Sequence, residues 1–290
     1  MACRQLHRSV NLRCGASDEP DYRVRKTLPI FPLSVVALPA ATVPLMIFEA
    51  RYRVLFNTLL SGMEGIEEGL VQTESPWCGS KRFGMCYVDN EGRMASVGST
   101  LEISEFANVP DGRLFITSKG KERFRVIKVV AEKPILLCEV EVLKEDEETE
   151  EAKQLATEVA DLLRNTIRLN VKMQNIEAKD DQIEPEELST LGPRELSYWV
   201  ASFFSDVKLL QQNLLEEVDT VRRLQKEKDV LTETVRYYSA ASALKSAFST
   251  EDAEAATGST EVKVSDTQVE ETSSSESGGA EKGDKTDTAT

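Results

Sequence analysis

The chain has 290 residues, 40% of them hydrophobic, which fits one or two globular domains with a sizeable core. Its formal net charge of −15 is uneven, because residues 21–143 are neutral in sum whereas residues 251–290 carry 3 basic and 11 acidic side chains. The lack of a basic domain argues against nucleic acid as a partner. The lack of an apolar run of about 18 residues argues against a membrane span.

The N-terminal residues 1–20 are predicted to be disordered and are a candidate transit peptide. They contain Arg4, Arg8 and Arg13, and the first acidic residue is Asp18. Arg-rich, acid-poor N-termini are typical of organelle transit peptides, although an ordinary disordered tail is the alternative. We expect a chloroplast protein, with the mitochondrion or the cytoplasm as alternatives.

Residues 27–145 predict a β-rich domain. Four prolines between residues 28 and 48 exclude a helix there and favour short extended segments. Residues 49–60 then place apolar side chains at helical intervals. Further strands are predicted at 81–88, 97–107, 113–118, 121–130 and 135–143. Several short strands at this spacing favour a barrel or sandwich over a parallel sheet.

Residues 146–248 predict a helical bundle. A first helix carries its apolar stripe at Leu155, Val159 and Leu163, a short helix is predicted at 186–190, and another begins at Pro193. Asp206 is predicted to cap a single long helix that runs towards residue 248. Residues 249–290 contain few large apolar side chains, and we expect a disordered acidic tail rich in Ser and Thr.

Residues suited to catalysis or metal binding are scarce. The only histidine is His7, and the P-loop, Rossmann, zinc-peptidase and serine-hydrolase motifs are absent from the sequence. A metal or redox pair of Cys78 and Cys86 is one interpretation, but we favour a surface thiol and a core thiol, with Cys138 also in the core. We expect no catalytic residue, no cofactor and no metal, and carboxylates that lie on solvated helix faces.

The one basic cluster lies on the strand predicted at 121–130. Strand alternation places Lys121, Arg123 and Arg125 on one face together with Lys119. We favour a solvated outer face, because the domain carries no net charge. A contact strand for RNA or phosphate is the alternative.

The start of the β-rich domain resembles the N-terminal domain of Lon proteases. The resemblance rests on LPIFPL at residues 28–33, on Leu38-Pro39, and on PLMIFEARYRVL at residues 44–55. Phe83-Gly84 and Pro110-Asp111-Gly112-Arg113 agree with it, and it extends over about residues 27–245. The signature residues are Pro32, Leu33, Pro44, Phe48, Glu49, Arg51 and Tyr52.

The resemblance implies an α+β fold, in which a PUA-like β-barrel over residues 27–145 is followed by a helical bundle over residues 146–248. It implies that the signature is mostly structural, with Tyr52 in the core and with Glu49 and Arg51 orienting the helix against the barrel. Direct contact with a ligand is the alternative for these residues.

The resemblance also implies a non-catalytic substrate-recognition or adaptor protein. We expect it to bind unfolded or extended polypeptides in a groove between barrel and bundle, and to serve protein quality control with a separate protease or chaperone. Lon proteases add ATPase and peptidase domains whose motifs this sequence lacks, so we expect no enzyme. The alternatives are RNA or nucleotide binding through the barrel, and a small-molecule enzyme that uses carboxylates in the cleft. Stand-alone proteins of this kind occur in plants, which favours the chloroplast.

Overall fold

The computed structural model describes residues 24–174 and 184–257, with side chains as far as residue 245. The candidate transit peptide and residues 258–290 of the predicted tail lie outside this range. Residues up to Leu244 belong to one compact unit, and of the second unit, which begins at Lys245, the structure describes a helix as far as Thr257. None of the described helices combines the length and apolar composition that a membrane span requires.

The described elements follow the predicted order of strands and then helices. The strands are β1 (Arg25–Leu33), β2 (Thr42–Ile47), β3 (Arg82–Val88), β4 (Met94–Asn108), β5 (Leu114–Ala131) and β6 (Leu136–Val142). The helices are α1 (Ala50–Leu59), α2 (Glu150–Gln174), α3 (Glu187–Thr190), α4 (Pro193–Ser202), α5 (Lys208–Glu216) and α6 (Thr220–Thr257). A short 3-10 turn at Glu68–Leu70 follows α1. The α+β class is confirmed, while the PUA-like character of the barrel stays a prediction.

The strands close into a barrel, because β5 is long enough to pair with three neighbours. The sheet order is β2-β5-β4-β3-β1-β6, and β6 also pairs with β5. The second half of β5 makes the pairing with β6, whereas its first half pairs with β2. The two strands predicted at 113–118 and 121–130 are therefore one continuous strand. β2 remains an edge strand.

Four aromatic side chains meet in the core beneath α1. Phe31 of β1 meets Tyr52 and Phe56 of α1 edge-on, with ring centroids 4.4 and 5.7 Å apart. Phe56 contacts Phe83 of β3 in the same manner. All four rings are buried, which fixes α1 against the strands.

The helices after β6 pack around a second core. Leu163 of α2, Val200 of α4 and Leu231 of α6 are buried in it. The prediction of one long helix from residue 206 is wrong, because the chain leaves the helix at residues 217–219 and begins α6 at Thr220. Asp219 caps α6 by accepting hydrogen bonds from the backbone of the next turn. Asp206, the expected cap, lies outside α5, whose N-cap is Val207.

The junction between barrel and bundle is filled. Leu38 and Val97 of the barrel pack against Tyr198 of α4 and Leu214 of α5, and all four side chains are buried. The groove that we expected between the two halves is therefore closed at this junction.

Candidate functional site

The predicted contact strand does not form a basic surface. Arg123 lies on the outer face of β5, as alternation predicts, but the helices cover it and its side chain is fully buried. The expectation of a solvated face is therefore wrong for Arg123. Arg125 is exposed, and Lys121 lies 4.0 Å from a carboxylate oxygen of Glu102.

Other cations around this strand are also matched by carboxylates. Lys26 of β1 lies 2.5 Å from a carboxylate oxygen of Glu122, and Lys128 lies 3.2 Å from one of Glu139. The surface is therefore of mixed charge, which offers little to the phosphates of an RNA backbone.

Arg123 joins the barrel to the helices. Its Nε and one terminal nitrogen donate to the two carboxylate oxygens of Glu145, each at 3.0 Å. Its other terminal nitrogen donates to the carbonyl oxygens of Leu215 and Glu217, both at 2.8 Å. Such a fork of charge-assisted bonds is specific to arginine.

Arg223 of α6 is a second buried cation at the same junction. It donates to the carbonyl oxygen of Glu217 at 2.8 Å, to the Thr220 hydroxyl at 2.9 Å and to the Ser197 hydroxyl. The Glu217 carbonyl therefore accepts from both arginines at the break between α5 and α6.

Tyr198 of α4 packs beside both cations. The guanidinium carbons of Arg223 and Arg123 lie 4.2 and 5.5 Å from its ring centroid. Burial raises the pKa of its hydroxyl well above the usual range, and the hydroxyl donates to Glu145 at 3.4 Å. The donors are directed at groups of the protein itself, so we assign a structural role to this junction cluster, which comprises Arg123, Glu145, Tyr198, Glu217 and Arg223.

The family signature divides into buried and exposed residues. Tyr52 is buried, as predicted, whereas Arg51 donates to Glu49 at 2.9 Å and its guanidinium lies 4.6 Å from the Tyr52 ring centroid. This ion pair lies on the exposed side of the first turn of α1. Of the remaining signature residues, Pro32 and Leu33 are half-buried in β1, whereas Pro44 and Phe48 are exposed.

An apolar patch occupies the outer face of the barrel around β2. Met46 is opposite Phe115 in the β2–β5 pairing. Phe48 follows the end of β2, and strand alternation from Met46 puts it on the same side. The exposed fractions of Met46, Phe115 and Phe48 are 43%, 44% and 62%. We call Met46, Phe48 and Phe115 the barrel patch. The sequence analysis did not identify these three residues as one surface, although the alternation of residues 42–48 already places Met46 and Phe48 on one side.

Charged pairs lie beside the barrel patch. Arg113 donates to Asp111 at 2.6 Å, and its Nη1 lies 3.6 Å from the sulfur of Met46. Apolar side chains bordered by charged groups are the composition expected of a surface that binds other molecules reversibly.

The exposed edge of β2 is less suited than this patch to recognising a chain. Pro44 lies in the middle of the strand and has no backbone N–H to donate to an added strand. Pro44 therefore disfavours extension of the sheet by an added strand at this edge.

The helices carry further open surfaces of a different kind. Phe203, Val207 and Leu209 are exposed around the connection between α4 and α5. A shallow groove of about 550 Å³ lies between α5 and α6, and four of its seven lining residues are Glu216, Glu217, Lys226 and Asp229. This charged lining makes it a poorer site for apolar chain segments than the barrel patch.

Glu141 and Glu227 are buried, which contradicts the expectation that the carboxylates lie on solvated faces. Glu227 of α6 is fully buried, and neither of its carboxylate oxygens has a hydrogen-bond partner. Burial raises its pKa well above the usual range, and the charge of Arg223 offsets only part of this effect. Within the described residues, no group of three or more His, Cys, Asp or Glu side chains is placed to hold a metal. Glu227 therefore has no neighbouring set of ligands.

Comparison with known families matches most of this architecture. A family model described as the ATP-dependent protease La (LON) substrate-binding domain matches residues 27–233. The chain belongs to this Lon substrate-binding domain family. The match includes the barrel, the barrel patch and the whole junction cluster.

Curated relatives of this Lon-family chain are Lon proteases. That of Dictyoglomus thermophilum is 25% identical over 215 residues, which cover 70% of this chain and 24% of that protein. That of Amoebophilus asiaticus is 27% identical over 129 residues, which cover 44% and 15%. The Lon-family chain thus spans a quarter or less of the length of these relatives.

Similar solved structures are also Lon N-terminal domains. A Lon N-terminal domain protein from Xanthomonas campestris is 24% identical with a TM-score of 0.47, and the match covers 69% of this chain and 96% of that chain. The N-terminal domain of Mycobacterium avium complex Lon protease is 19% identical with a TM-score of 0.48, and the match covers 73% and 98%.

Proposed function

We propose that this Lon-family protein is a non-catalytic adaptor that binds unfolded or extended polypeptides through the barrel patch. The observation that carries the proposal is the exposure of Met46, Phe48 and Phe115 on one side of the barrel. An extended chain would bury these side chains against its own apolar residues. A patch of only three exposed side chains gives modest affinity with broad sequence tolerance, which suits the recognition of unfolded proteins.

The proposal includes a role in protein quality control alongside a separate protease or chaperone. Family membership supports it, since the matched family is defined by substrate binding and the match does not rest on a catalytic domain. The absence of P-loop and nucleophile motifs from the sequence supports the non-catalytic part. We further propose a chloroplast location, which a fluorescent fusion of the intact chain would test against a variant in which Arg4, Arg8 and Arg13 are replaced by Ser.

The test is the binding of a permanently unfolded protein, for which reduced and carboxymethylated α-lactalbumin labelled with a fluorophore is suitable. Fluorescence anisotropy would give the dissociation constant for the intact chain. Phe48→Ser and Phe115→Ser should each weaken binding about five- to twentyfold, because each removes a large apolar contact area.

Phe203→Ser provides the matched control. Phe203 exposes 47% of its surface, close to the 44% of Phe115, but it lies at the end of α4 rather than on the barrel. We expect its replacement to leave the affinity within about twofold. Equal losses for Phe203→Ser and Phe115→Ser, or no binding by the unaltered chain, would contradict the assignment of the barrel patch.

A further inference from the structure

Met46 differs from the other described methionines in the accessibility of its sulfur-bearing side chain. It exposes 43% of its surface. Met85 is buried inside the barrel, Met63 and Met94 are partly buried against apolar cores, and Met173 of α2 is half-buried. Because oxidants reach accessible side chains first, Met46 is the methionine most open to oxidation among these five.

The surroundings of the sulfur also provide a partner for an oxidised form. Arg113 Nη1 lies 3.6 Å from the Met46 sulfur, and Asp111 holds the same guanidinium through its Nε at 2.6 Å. A thioether is a weak acceptor, whereas a sulfoxide oxygen accepts hydrogen bonds well. Arg113 is therefore placed to bind a sulfoxide at residue 46 and to hold its polar oxygen on the barrel patch.

We propose that Met46 is a reversible oxidation site that switches polypeptide binding off, an inference that rests on the proposed function of the barrel patch. Hydrogen peroxide transfers one oxygen atom to the Met46 sulfur as the peroxide O–O bond breaks. The sulfur loses two electrons and becomes a sulfoxide, and the peroxide is reduced to water. A methionine sulfoxide reductase reverses the change with thiols as the reductant: two thiols are oxidised to a disulfide, the Met46 sulfur regains two electrons, and the sulfoxide oxygen leaves as water.

The position of Met46 explains why oxidation would matter. Met46 lies between Phe48 along the chain and Phe115 across the strand pair. A sulfoxide would put a strongly hydrated group at the centre of the patch, and a bound chain would have to desolvate it. We expect the affinity for an unfolded protein to fall about five- to tenfold.

The experiment treats the intact chain with hydrogen peroxide and follows each methionine by peptide mass spectrometry. Binding of reduced and carboxymethylated α-lactalbumin is measured on the same samples before treatment, after treatment, and after incubation with methionine sulfoxide reductases. Met46→Leu is the matched variant, because leucine keeps the apolar volume but cannot be oxidised.

The proposal is supported if Met46 oxidises several times faster than Met63 and Met94, if binding falls and the reductases restore it, and if Met46→Leu binds equally before and after treatment. Equal oxidation rates, or undiminished binding once Met46 is fully oxidised, would overturn it and leave the proposed function intact. A loss of binding by treated Met46→Leu would also overturn it. Failure of the untreated chain to bind would remove the proposed function and this inference together.

Discussion

Replacement of Arg123 by alanine should strongly destabilise the protein. The change removes two hydrogen bonds to Glu145 and two to the carbonyl oxygens of Leu215 and Glu217. Each bond to a charged group contributes about 1.5–3 kcal/mol, but the contributions do not add fully. Glu145 keeps 28% of its side chain exposed, so its unpaired charge is partly hydrated. We therefore expect a loss of about 3–5 kcal/mol in the free energy of unfolding.

Urea unfolding followed by circular dichroism measures this loss. Arg125→Ala is the matched control, because Arg125 lies two residues along the same strand face but is exposed. Its replacement should change the free energy of unfolding by about 0.5 kcal/mol or less. Arg123→Lys should fall in between, since lysine keeps the charge but cannot form the fork. A cost for Arg123→Ala below about 1 kcal/mol, or one equal to that of Arg125→Ala, would refute the role assigned to the junction cluster.

Two further changes test the barrel and the bundle. Gly120→Ala should destabilise the barrel by about 2 kcal/mol or more, because a Cβ there would lie 2.1 Å from the Leu38 carbonyl oxygen. Gly69→Ala is the control, since a Cβ at residue 69 meets no atom within 4 Å and the change should be nearly neutral. Equal melting temperatures for the two variants would contradict the close approach at Gly120. The raised pKa of Glu227 means that the folded state favours the neutral form of this carboxyl group. The contribution of Glu227 to stability is therefore fully present at pH values below the pKa of Glu227 in the unfolded chain. It is lost as the pH rises through the pKa of Glu227 in the folded protein. Glu227→Leu should therefore raise the melting temperature more at pH 8 than at pH 5.5, and an equal shift at both pH values would show that the carboxyl is not neutral when folded.

The strands of the barrel could be predicted from the sequence because their signals are local, whereas the local signals left a barrel and a sandwich open and only the family resemblance implied the barrel. Proline positions, strand alternation and the turn at 110–112 depend only on neighbouring residues, and the structure has strands where they were expected. The burial of Arg123 depends instead on carbonyl groups of Leu215 and Glu217, some 90 residues further along the chain. Alternation identifies the face of a strand but not what covers that face.

The break between α5 and α6 was hidden for a related reason. The apolar intervals continue in helical phase across residues 217–219, and neither proline nor glycine marks the interruption. The break is stabilised by Asp219, which caps the next helix, and by Arg123 and Arg223, which both donate to the Glu217 carbonyl. Periodicity contains no information about a carbonyl that two distant arginines satisfy.

The family signature places two different physical demands on neighbouring residues. Tyr52 is buried against Phe31, so the fold accounts for its aromatic ring. Phe48 keeps 62% of its surface in water, and folding gains little from an apolar side chain that stays hydrated. The Phe48 ring contributes favourable free energy once another molecule covers it and removes it from water. Binding of a polypeptide, as in the proposed adaptor function, would cover it in this way. In this signature the exposed Phe48, rather than the buried Tyr52, is therefore the residue at which recognition can be separated from folding.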